Sequence, residues 1–165
     1  MIEMHSAHIY KGTHLLIIGG RSLEVGKPLG EIAFSDTIYA IELANGKVSI
    51  FGKLPSALGS HVSAIIDDKY LLIYGGTNGY RFFDSILRYD IEEKGWTLMT
   101  KQPEELVGSP FFSEGRIAVA SDAFGKGFSV FFGGCSAEND CSDLMIVPFT
   151  HIRESANFSE ITEIM

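Results

Sequence analysis

The chain has 165 residues, 45% of them hydrophobic and 21% charged, and its 21 acidic and 13 basic residues leave a net charge of −8. That balance repels nucleic acid and anionic lipid and argues against both as general partners, and no run approaches the roughly 18 apolar residues that span a bilayer. The opening MIEMHSAHIYKG lacks the charged-then-apolar order of a signal peptide, so a cytoplasmic or nuclear location is expected.

Taken in chain order, the apolar runs are short, rich in Ile, Val, Phe and Tyr, and bounded by Gly, Asp, Asn and Lys, which predicts strands and hairpins. No apolar stripe of helical period persists for ten residues. The first set is SAHIYKGT, then HLLIIGG at 14–20, the loop RSLEVGKPLGEIAFS, DTIYAIEL at 36–43 and KVSIFGKL. The second is VSAIIDDK, YLLIYGG at 70–76, the loop TNGYRFF, DSILRYDI at 84–91 and GWTLMTK. The third is ASDAFGKG, FSVFFGG at 128–134, the loop CSAENDCS, DLMIVPF at 143–149 and, as a fourth strand, NFSEITEI. The pairs Gly19-Gly20, Gly75-Gly76 and Gly133-Gly134 are spaced by 56 and 58 residues, and an acidic residue opens each third strand: Asp36, Asp84 and Asp143. Asn45-Gly46 and Lys94-Gly95 fall at equivalent places, where a tight hairpin needs positive φ. The chain therefore reads as one four-stranded unit written three times.

Gly20 and the later Gly26-Lys27 do not make a phosphate-binding loop. Five residues rather than four separate the glycines, and Pro28 stands where a magnesium-binding hydroxyl is required.

The glycine pair after an apolar strand, the Asp beyond it, Tyr89-Asp90, and Trp96 seven residues after the Tyr resemble the kelch repeat, whose period is about 50 residues. The middle copy carries the full set. The first has Ile41-Glu42 for Tyr-Asp and Val48 for Trp, and the third has Pro148-Phe149 with Phe158 in place of Trp. The resemblance implies an all-β partial propeller of three four-stranded antiparallel blades, at about 4–54, 60–101 and 116–164, with the first strand of each innermost. Small pairs on those strands, Ser6-Ala7, Ser63-Ala64 and Ala120-Ser121, suit a crowded axis. It also implies structural roles for Gly19, Gly20, Gly75, Gly76, Gly133, Gly134, Asp36, Asp84 and Asp143, the aspartates bonding loop backbone N–H groups and Trp96 covering Gly75-Gly76. Propellers close with roughly four to eight blades, so three call for ring completion, by another copy or by further blades of a longer chain.

In such propellers the loops after the glycine pairs, with the residues leading into the first strand, commonly meet partners. That carries over to Arg21, Thr77, Asn78, Tyr80, Arg81, His5, His61 and Arg116, a rim suited to a protein partner and to an acidic segment of one. His5 and His61 share one repeat position, which also fits structural histidines bonded to a neighbouring blade. Phe82-Phe83 and Phe111-Phe112 are expected in the core. Cys135 and Cys141 are too few for a zinc site and are expected as free thiols, and neither a metal nor a cofactor is expected. No catalytic set emerges from the loops, so an interaction module is the expectation, with a sugar-acting kelch-type enzyme (oxidase or sialic acid epimerase) as the alternative.

Overall fold

The computed structural model describes residues 2–22, 33–100, 115–117, 119–124, 127–142 and 144–161, with 120–124 described as backbone. The apolar runs are strands: β1 (Ile2–Glu3), β2 (Ser6–Tyr10), β3 (His14–Ile18), β4 (Arg21–Ser22), β5 (Ala33–Phe34), β6 (Thr37–Glu42), β7 (Val48–Lys53), β8 (Val62–Ile66), β9 (Tyr70–Tyr74), β10 (Ile86–Asp90), β11 (Gly95–Met99), β12 (Ala120–Phe124), β13 (Phe128–Phe132) and β14 (Leu144–Pro148), followed by the short helix α1 (Phe149–Arg153) and β15 (Phe158–Glu160). The fold is all-β, its sheets are antiparallel, and it is propeller-like. The first sheet runs β2-β3-β6-β7, the second β8-β9-β10-β11 with β15 on its outer edge, and the third β12-β13-β14. The leading strands stand side by side, with β8 between β2 and β12.

Two layers of side chains hold these sheets together. Leu16, Ile18, Ile38 and Ala40 of the first sheet pack against Leu71, Ile73, Leu87 and Tyr89 of the second. The opposite face of the second, with Leu72, Tyr74 and Ile86, packs on Phe131 and Val147 of the third. A strand covered on both faces must be apolar at every position, and all five residues of β9, YLLIY, are buried.

Turn chemistry follows the repeat. Lys11-Gly12 and Asp67-Asp68 have φ of 49°, 66°, 55° and 52°, and Thr13 and Lys69 donate back to Tyr10 and Ile66, closing two-residue turns of the kind that matches strand twist. Between the third and fourth strands the positive φ falls on Gly46 (72°) and Lys94 (55°). Lys94, not Gly95, is thus the equivalent of Gly46, and Gly95 opens β11.

Among the described residues, two sheets differ from the expected four strands: the second has five and the third three. The start of NFSEITEI joins the second sheet rather than the third: Phe158, Ser159 and Glu160 pair with Met99, Leu98 and Thr97. The chain leaves β14 at Pro148 (φ −62°) into α1, where a residue without an N–H suits a helix start. Phe149 and Ile152 sink into the layer beneath the second sheet. Buried Arg88 fixes this crossing: its guanidinium donates to the Ile152 carbonyl at 2.6 Å and lies 3.9 Å from the centre of the Phe158 ring. Phe158 is therefore not the third sheet's counterpart of Trp96.

Candidate functional site

The glycine pairs have one geometry in all three copies. Gly19, Gly75 and Gly133 have φ of 57°, 66° and 69°, and Gly20, Gly76 and Gly134 have 93°, 93° and 88°. A side chain at such φ is strained. The space forbids one as well: a β-carbon on Gly75 would run into the Arg116 carbonyl, and one on Gly76 would lie 2.8 Å from the His61 β-carbon. The second glycine of a pair donates its N–H to the segment leading into the next copy, Gly20 to Leu58 at 2.7 Å and Gly76 to Arg116 at 2.6 Å. The pair is a backbone clasp between neighbouring sheets.

Trp96 does not cover that pair. The atoms nearest to the β-positions of Gly75 and Gly76 belong to Arg116, Phe83, His61, Gly59 and Leu58. The indole instead lies against Tyr89, ring centres 4.8 Å apart, and donates to the Lys53 carbonyl at 2.7 Å, tying the outer edge of the second sheet to β7 of the first. Asp36 accepts from Thr37 Oγ1 and Lys53 Nζ, and Asp84 from Ser85 Oγ. The Lys53 ammonium holds the Asp36 carboxyl below its ordinary pKa. Asp143, Phe111-Phe112 and most of the first loop lie outside the described residues.

Beyond each glycine pair the chain makes one more set of bridges. Arg21 pairs with Glu3 and Phe34, Thr77 with Gly59 and Phe82, and Cys135 with Ile117 and Asp140. These narrow ladders form a rim on which the candidate residues sit. Thr77 is buried, donating from Oγ1 to the Arg81 carbonyl and accepting from Gly79 N–H. Asn78 Oδ1 accepts from the N–H groups of Tyr80 and Arg81. These four bonds present Tyr80, 96% exposed, beside exposed Arg81, whose guanidinium is 4.7 Å from the Phe83 ring centre. Arg21 is paired with Glu3, and half-buried Arg116 gives its carbonyl to the clasp. His5 is exposed beside Gly20.

Thr77 and His61 are corrected from contact residues to scaffold, because both are buried. His61 ends a polar chain between the leading strands: His8 Nε2 to Ser63 Oγ (2.7 Å), Ser63 to Ser6 (2.6 Å), and Ser6 to His61 Nε2 (2.8 Å). Ser6 Oγ thus bonds both Ser63 Oγ and the buried His61 Nε2. Burial, followed by the nearby His5 and His8, pushes the His61 pKa down to about 4.

The sequence reading misses Phe34. Its ring crosses from the first loop onto the second, where β-carbons on Gly59 and Gly79 would come within 2.7 and 3.1 Å of it. The available signal is an aromatic two residues before each of Asp36 and Asp84, namely Phe34 and Phe82. Both cysteines are free and half-buried, and among the described residues no group of three His, Cys, Asp or Glu is placed to hold a metal. No described helix is long and apolar enough to cross a membrane.

Residues 58–103 match the family model of the kelch motif. The chain carries a kelch repeat. The match spans β8 to β11, and the glycine geometry of that kelch unit recurs in the sheets on either side. No curated protein matches the chain.

Proposed function

We propose that the chain is a protein-interaction module that presents the rim of its kelch sheets to an acidic segment of a partner. One observation carries this reading: Tyr80 is almost wholly exposed on a loop that Thr77 and Asn78 hold rigid through four hydrogen bonds. A large aromatic on a pre-ordered tip buries area on binding at little entropic cost, and an adjacent arginine adds bidentate recognition of carboxylates. We assign His5, Arg21 and Arg116 to the same interaction rim.

The test is selection from a displayed peptide library. Acidic peptides are expected, and Tyr80→Ala/Arg81→Ala is expected to weaken them at least about tenfold, near 1.4 kcal/mol. Selected peptides that are not acidic, or that bind the double variant equally well, would contradict the reading.

A further inference from the structure

Each sheet has two faces, one turned towards the preceding sheet and one towards the following. Inside the chain a following-type face meets a preceding-type face twice, first to second sheet and second to third. Among the described residues that leaves one of each kind at the ends. On the first sheet the open face carries two cross-strand rows, Ala7, Ile17, Tyr39, Ile50 and Ile9, Leu15, Ile41, Val48, with Val48 59% and Ile50 67% exposed. On the third sheet the open face carries Phe132 and Leu144, at 50% and 42%. Their counterparts in the second sheet have neighbours: Tyr74, at the place of Phe132, is buried, and Trp96, at the place of Val48, packs and bonds to the first sheet.

The clasp shows the same unfinished end. The first glycine of the earlier pairs faces a carbonyl of the next copy, Leu58 for Gly19 and Arg116 for Gly75, whereas among the described residues only the Cys141 carbonyl of its own copy lies within 4 Å of a β-carbon on Gly133. The segment that stands to the first copy as 58 stands to the second begins at Ile2.

We infer that these two faces are a complementary pair and that their occupant is a second copy of this chain, joined head to tail. The third sheet of each copy packs on the first sheet of the other, and Gly134 N–H meets the Ile2 carbonyl across the contact. Two arcs of three sheets close a six-membered ring, within the size range of propellers. The contact is heterologous, and the two-fold axis repeats it.

Sedimentation velocity on the whole chain tests this. The expected species has twice the chain mass of 18.1 kDa. Ile50→Glu and Phe132→Glu, on opposite faces, each weaken the dimer at least about tenfold. Both sites are already exposed, and circular dichroism checks folding; Val48→Lys and Leu144→Lys serve should either variant unfold. An equimolar mixture of the two single variants regains dimer, because one of its two contacts is intact. Tyr80→Ala leaves the mass unchanged, which separates this inference from the rim reading. A folded monomer at every concentration assigns the faces to another protein or to further sheets and overturns the proposal. So does a dimer broken by only one of the two variants, since that is a like-to-like contact.

Discussion

The second and third sheets begin from the same pattern and end differently. Both place a glycine pair of the same backbone geometry after a five-residue apolar strand. Yet β9 is buried throughout, whereas Phe128 and Phe132 of β13 are exposed. The pattern sets which face is apolar; a neighbour decides whether that face is covered. The second sheet also keeps its third-to-fourth hairpin, while Pro148 sends the third sheet's chain across to lend β15 to the second.

The sharpest way to break the comparison is to place the same side chain in equivalent glycines. Gly75→Val puts a branched side chain at positive φ against a backbone carbonyl that cannot move without opening the clasp. We expect a loss of about 4 kcal/mol or more in denaturant unfolding. Gly133→Val is equally strained, but its nearest described neighbour would be 3.2 Å away, so the loss is smaller, about 2 kcal/mol. Equal losses would show that backbone conformation alone, without the clasp, makes these positions glycine.

Acid probes the seam between the first and second sheets. His61 titrates near 4 when folded and near 6.5 when unfolded. The unfolded chain thus takes up the proton first, and stability is full above about 6.5 and falls as pH drops towards 4, by up to roughly 3 kcal/mol. His61→Gln is expected to flatten that slope in denaturant midpoints measured between pH 7 and 4. An unchanged slope would assign the acid sensitivity elsewhere.

Trp96→Ala is expected to cost about 2–3 kcal/mol, the tryptophan being half-buried but bonded to Lys53. Val48→Ala, at the equivalent exposed place in the first sheet, should change the stability of the isolated chain by less than about 0.5 kcal/mol.

Much of this fold is legible in the sequence, because short apolar runs phased on glycine pairs leave few alternatives. The strands of the first two sheets and the glycine positions are read from residues alone. What escapes is what sequence does not encode locally. Backbone pairing is blind to side-chain identity, so nothing in NFSEITEI says which sheet edge it joins. Two-residue rim ladders such as Arg21–Ser22 are too short for any period. The Trp96 indole finds a carbonyl 43 residues away, and Arg88, a charge inside the apolar run ILRYD, gives no hint that it anchors α1. Thr77 reads as a contact residue because a polar loop side chain is equally at home in solvent or bonding the loop's own backbone.

The clasp between successive copies is the claim on which the rest stands, and native-state amide hydrogen exchange measures it residue by residue. The N–H groups of Gly20 and Gly76, both donated across sheets, should exchange as slowly as those inside β3 and β9. Exchange at the rate of an unstructured peptide at those two glycines, with the strands still protected, would contradict it.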